Sequence, residues 1–240
     1  MEKQKRKHTS IGLRMKENYE DRSRFYLIRR TPVIIRLDGK AFHTLTKNCD
    51  KPFDKHLSNS MNETALELCK NIQGAKCAYT QSDEISILIT DFDKLNTDAW
   101  FNYNIQKMTS IAAAEASIKF SSQFGEKGLF DCRVFNIPKE EVVNYFIWRQ
   151  KDWERNSIQM LSQAYFSHKE LHGKKCPDMH EMLHKKGINW TELEDKYKNG
   201  SFVAKSLNSI NSWKIFTFCP IFTQVPNREY IEYELMKQEF

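Results

Sequence analysis

The chain has 240 residues, 28% charged and 40% hydrophobic, with a formal net charge of +6. That length buries a full core as one large domain or two modest ones, and apolar runs too short to cross a bilayer exclude a helical membrane protein. Met1–His8 is charged and lacks the apolar centre of a signal peptide. The six cysteines (Cys49, Cys69, Cys77, Cys132, Cys176, Cys219) are scattered without paired spacing. Such scatter fits reduced thiols in the cytoplasm, not a disulfide frame or a zinc knuckle. Residues 1–30 hold ten Lys or Arg against four acids, whereas the remaining 210 residues hold 27 of each, so the whole positive excess lies in the N-terminal arm. Such an arm is either a solvated tail or an attraction for phosphate backbones.

In chain order, Pro32 breaks any preceding helix and opens a strand, Val33–Leu37, whose β-branched residues suit a sheet interior. The strand stops on Asp38-Gly39-Lys40, which is common turn chemistry and also a way to fix a carboxylate beside a close-approaching backbone. Asp54 caps an expected helix to about Ile72, with Leu57, Met61, Ala65 and Leu68 at helical spacing and Gln73-Gly74 ending it. Lys76–Tyr79 and Ile85–Thr90 read as two strands around Thr80–Glu84, the second placing Ile85, Ile87 and Ile89 on one face. A second helix is expected from about Trp100 to Phe120, then a strand Cys132–Ile137 closed by Pro138. A long helix follows from Lys139 to about Lys169, then a short one near 178–186, an acidic stretch at 191–196 and a late strand within Trp213–Phe222.

The order β-α-β-β-α-β is that of a ferredoxin-like antiparallel sheet with helices on one face, the palm of many nucleotide polymerases and cyclases. It predicts an α/β (α+β) protein with a palm-like domain over 1–138, including the basic arm, and a smaller, mostly helical region over 139–240. In that topology Asp38, ending the first strand, and Asp83, at the hairpin of the next two, reach one point in space. Two carboxylates on neighbouring strands suit a pair of Mg²⁺ ions, which keep waters and phosphate oxygens among their ligands; the competing reading is two ordinary turn acids.

Backbone N–H groups over Gly39, Lys40, Ala41, Phe42 and His43 could cradle a triphosphate. Phe42 packs beneath a base or anchors the loop, and His43 is a polar contact or a structural histidine. Lys51 and Lys107, with Ser110 one turn beyond, are either phosphate partners or solvated surface groups. His180-Glu181-Met182-Leu183-His184 fits a zinc-protease pattern, but its segment is short and polar and a third ligand is missing.

At these residues the chain resembles the tRNA-His guanylyltransferase family. The resemblance runs in order over about residues 12–170: Arg36-Leu37-Asp38-Gly39-Lys40-Ala41-Phe42-His43, Lys51-Pro52-Phe53-Asp54, Ala78-Tyr79-Thr80-Gln81-Ser82-Asp83-Glu84 and Lys107-Met108-Thr109-Ser110. Phe130-Asp131-Cys132-Arg133-Val134-Phe135 and Tyr145-Phe146-Ile147-Trp148-Arg149-Gln150 extend it. It implies a polymerase-like palm, assembled as a homotetramer, that adds nucleotides to the 5′ end of tRNA in the 3′–5′ direction. Asp38, the Gly39 carbonyl and Asp83 would bind two Mg²⁺ ions. Asp38–His43 with Ser82 and Asp83 would hold the nucleoside triphosphate, and Glu84 would support the metals or the activated end. ATP and GTP, or other nucleoside triphosphates, would be substrates; the incoming 3′-hydroxyl would attack a 5′ end activated as a triphosphate or by adenylylation.

Members that read the tRNA-His anticodon carry a His-Ile-Asn-Asn-Leu-Tyr-Asn stretch where this chain has Glu154-Arg155-Asn156-Ser157-Ile158-Gln159-Met160, and an asparagine where it has Phe53. Both departures are similar to the template-dependent guanylyltransferase-like branch, which repairs truncated acceptor stems by base pairing. A strict guanylyltransferase adding one G is the alternative within the family, and a tRNA-binding module without catalysis the alternative outside it.

Overall fold

The computed structural model describes residues 10–206 and 212–237, so the first nine residues of the basic arm lie outside the described residues. The chain folds as expected around β1 (Val33–Gly39), α1 (Lys55–Asn71), β2 (Ala75–Gln81), β3 (Glu84–Ile89), α2 (Ile105–Phe124) and β4 (Phe130–Asn136). After these come α3 (Val142–Tyr165), α4 (Cys176–Lys185), β5 (Ser201–Lys205) and β6 (Trp213–Ile215). Asp54 caps α1 by accepting the Leu57 N–H at 2.7 Å, and Asn104 caps α2 through the Lys107 N–H. The sheet order is β4-β1-β3-β2-β5-β6, every neighbouring pair antiparallel, and its first four strands have the ferredoxin-like arrangement.

Two additions come from the C-terminal part. β5, unassigned in the sequence, pairs with β2, and the late strand is confined to Trp213–Ile215. The sheet therefore continues across the division expected at residue 138. The second face is covered too. Val33, Ile35, Leu37, Ile85, Ile87 and Ile89 pack with α1 and α2 on one face, while Ile34, Leu88, Tyr79 and Phe202 pack with α3 on the other. Period-2 alternation sorts the two sets, and it leaves the even-numbered positions near the end of β1, Arg36 and Asp38, on the α3 side.

All six cysteines are free thiols, and no described helix is long and apolar enough to cross a membrane. Glu181 of α4 pairs with Lys185 at 2.9 Å on the exposed side of the helix, and His180 packs edge-on against Trp190. No group of three metal-ligating side chains occurs among the described residues.

Candidate active site

The site is built at the β1 exit. Asp38 stands opposite Glu84 of β3 and Asp131 of β4, and the Gly39 N–H donates to the Asp83 carbonyl at 3.0 Å. This backbone bond ties the strand end to the β2–β3 turn, so both half-buried acids are held at one sheet end. Asp38 and Asp83 form no ion pair among the described residues. Burial raises the Asp83 carboxyl above its ordinary pKa; a bond from Ser82 works against this, and the nearby charges of Asp38 and Glu84 add to the rise. A carboxylate raised by burial and by like charge lacks a cation. The residues present therefore fit Mg²⁺: two carboxylates and a turn backbone supply part of a hard-oxygen shell, leaving places for water and phosphate.

The loop after Asp38 is held from below. Phe42 is buried and its ring lies 5.0 Å from Phe120 and 5.1 Å from Phe130. Of its two expected roles, it anchors the loop. A Cβ on Gly39 would meet the Phe42 ring at 2.4 Å, so glycine permits the ring to tuck under the strand end. Ala41 and Ser82, with φ of 55° and 48°, turn the two loops that flank the acids. The expected backbone cradle is narrower than residues 39–43. Gly39 N–H is committed to Asp83, and Lys40 N–H to the Leu129 carbonyl at 2.8 Å. The N–H groups of Ala41, Phe42 and His43 open the short helix Phe42–Leu45, where no preceding turn can bind them. Lys40 and His43 side chains are exposed.

Lys51 is brought to Asp83: a cavity of about 90 Å³ is lined by Phe42, Thr46, Lys51, Asp54, Asp83 and Met160. A second space of about 50 Å³ shares Asp54, Leu57, Ser82 and Met160 with it. Phe53 stacks on Tyr197 at 4.7 Å and meets Trp153 edge-on at 6.2 Å, which ties this rim to α3.

Lys107 and Ser110 are not brought together with the acids. α2 begins where Tyr26 bridges Asn104 and Ile28 bonds Asn136, beside the Val33 end of β1. The five steps from Val33 to Asp38 put that end about 17 Å from Asp38. Lys107 instead lines another depression, with Phe101 and Arg24.

Glu84 has a different part from the supporting one the resemblance implies. Its buried carboxylate accepts two bonds from Arg149 of α3, at 2.7 and 2.8 Å, and one from Arg36 of β1 at 2.6 Å. Arg149 also reaches Asp152 at 3.0 Å. Burial works against the Arg149 charge, but Glu84 and then Asp152 outweigh it and hold the guanidinium above its ordinary pKa. Glu84 is spoken for by two arginines, and it locks β3 and β1 to α3. Sequence reasoning missed Arg36 and Arg149 as functional neighbours; the available signal was two arginines inside otherwise apolar, buried segments.

Comparison with known proteins identifies the family. The family model "Thg1: tRNAHis guanylyltransferase" matches residues 13–138. A solved structure described as a bacterial tRNA(His) guanylyltransferase-like protein in complex with ATP is 43% identical, covers 96% of this chain and all of its own, and superposes with a TM-score of 0.89. One described as such a protein in complex with GTP is 42% identical over 95% of this chain and 99% of its own, with a TM-score of 0.84. A probable tRNA(His) guanylyltransferase of Dictyostelium discoideum is 28% identical over 75% of this chain and 77% of its own.

Proposed function

Because the chain belongs to the tRNA-His guanylyltransferase family, a family of nucleotidyltransferases, we propose that it is a Mg²⁺-dependent 3′–5′ polymerase that rebuilds tRNA 5′ ends by template pairing. The observation that carries the reading is the uncompensated pair Asp38 and Asp83, fixed at one strand end beside a cavity that Lys51 lines. Asp38, the Gly39 carbonyl and Asp83 would hold two ions, which when bound neutralise phosphate charge and favour the attacking hydroxylate. The N–H groups of Ala41–His43, with Ser82 and Lys51, would hold the triphosphate of ATP, GTP or another nucleotide. The nucleotide 3′-hydroxyl attacks the activated 5′ phosphate, with pyrophosphate leaving from a triphosphate end or AMP from an adenylylated one. Alignment of attacking and leaving oxygens then supplies most of the rate.

Phe53 and the altered segment 154–160 support template-directed repair over anticodon reading. The names of the curated relatives support the second reading, addition of a single G to tRNA-His. A homotetramer in the cytoplasm belongs to the proposal on family resemblance; Lys107 and Ser110, placed at the far end of β1, do not belong to this site within one chain.

The test is a 5′-labelled tRNA lacking its first acceptor nucleotide, incubated with the protein, Mg²⁺, ATP and each nucleoside triphosphate in turn, with the opposing base varied. Addition that follows the opposing base is expected. Addition of G alone, whatever lies opposite, would install the second reading, and no addition with intact RNA binding would leave a binding module.

A further inference from the structure

The α3 side of the sheet carries one large aromatic group that the site described so far does not use. Trp148 is 53% exposed, whereas Trp153, five residues on along the same helix, is 4% exposed and part of the core. Exposing half an indole forgoes apolar burial, yet this ring is not loose. The Arg149 guanidinium lies 4.5 Å from its centroid and that of Arg36 lies 5.7 Å away, and the Tyr145 ring meets it edge-on at 5.8 Å. Each of these three supports is itself fixed: Arg149 and Arg36 by Glu84, and Tyr145 by its hydroxyl at 2.8 Å from Ser86 Oγ. A rigid, half-exposed aromatic loses little conformational freedom on binding, which makes it a good stacking surface.

Its position names what it would stack. Arg36 precedes Asp38 by two residues and so shares its face of the sheet, and Trp148 touches Arg36. The indole therefore stands on the face to which the Asp38 side chain belongs, against the residue two positions before it. The nucleotide cavity is lined from elsewhere, by α1, the 42–54 loop and Met160, and Trp148 takes no part in it. Exposed Arg133, directly across from Arg36 on β4, pairs with Asp131 at 3.7 Å on the same strip. An aromatic plane with arginines around it accepts any base, because every base has a π-face.

We propose that Trp148 is a stacking platform for the terminal base of the RNA 5′ end on which Asp38 and Asp83 act. The inference rests on the polymerase reading above and adds the contact that seats the polynucleotide, as distinct from the free nucleotide. Stacking holds the end in place whatever its sequence, which suits an enzyme whose end changes at every addition.

The test uses the full chain and a short acceptor-stem hairpin lacking its first 5′ nucleotide and carrying a 5′-triphosphate, so that no activation step intervenes. In Trp148→Leu, KM for the hairpin should rise about 5- to 100-fold, the range for losing one base–aromatic stack, with KM for the nucleotide within about twofold of wild type. Trp148→Phe, which keeps a ring, should recover most of the difference. Tryptophan emission of the wild type should be quenched by the hairpin, and that quenching should be lost in Trp148→Phe. Unchanged hairpin KM in Trp148→Leu, or a rise in nucleotide KM instead, overturns the proposal. Should Trp148→Leu fail to fold, the Trp148→Phe quenching decides: quenching that persists there overturns it. A wild type that adds nothing to the hairpin overturns the polymerase reading, and the quenching measurement still judges the stack by itself.

Discussion

Two adjacent acids in one turn have opposite surroundings. Asp83 makes no ion pair among the described residues, and burial, together with the charges of Asp38 and Glu84, pushes its carboxyl above the ordinary range. Glu84, the next residue, is buried between Arg36 and Arg149 and fully partnered. Position separates them: Asp83 lies in the turn between β2 and β3, whereas Glu84 is the first residue of β3, paired in register with Asp38 of β1. The region around Glu84 spends its charge internally and stiffens the joint between the sheet and α3. The region around Asp38 and Asp83 leaves charge unspent, at a cost in stability, and so is the one prepared for cations and phosphate. Charge left unbalanced, more than the mere presence of acids, marks the chemistry.

Breaking the balanced region should have the largest effect on folding. Arg149→Met leaves the Glu84 carboxylate buried with only Arg36, and should destabilise the protein by about 3 kcal/mol, the lower end for breaking a buried pair; urea denaturation measures it. Next comes the anchor of the unbalanced region. Phe42→Leu removes the ring contacts with Phe120 and Phe130, and should cost about 1–2 kcal/mol while raising KM for the nucleotide. A smaller effect, of opposite sign, is expected at Asp83 itself. Its raised pKa means that the folded state binds the proton more tightly than the unfolded one. Ionised Asp83 therefore costs stability at neutral pH, and the cost is relieved as pH falls through the folded pKa. Asp83→Asn should accordingly raise the melting temperature of the metal-free protein at pH 7, and this gain should vanish in acid.

Much of this was legible in the sequence because it depends on local pattern. Pro32 with Val33–Leu37, and the alternation of Ile85, Ile87 and Ile89, are period-2 signals with buried flanks. Once the strand order is known, Asp38 and Asp83 must meet, since β1 ends where the β2–β3 turn lies. Other features are set at long range. β5 is five residues pairing with β2 more than 120 positions earlier, and so short a segment carries little pattern of its own. The family resemblance puts Glu84 with the site, whereas its partner Arg149 lies 65 residues away. Lys107 and Ser110 show the limit of spacing rules. Three-residue spacing puts them on one helix face, but only the direction of β3 says that α2 starts at the far end of the sheet. Phe53 shows the reverse case, a departure from the family pattern that the structure explains by its stacking on Tyr197.

The most direct measurement is the single-turnover rate of nucleotide addition to a 5′-triphosphorylated, truncated tRNA, for Asp83→Asn and Glu84→Gln alongside wild type, each at saturating Mg²⁺ and corrected for folded fraction. The unequal roles of the two acids predict an Asp83→Asn protein that is folded, at least as stable as wild type when both are metal-free, and slower by about 1000-fold or more, with Glu84→Gln less stable but retaining activity in its folded fraction. A folded Asp83→Asn protein that adds nucleotides at near wild-type rate would contradict the assignment of the unbalanced acids to the chemistry.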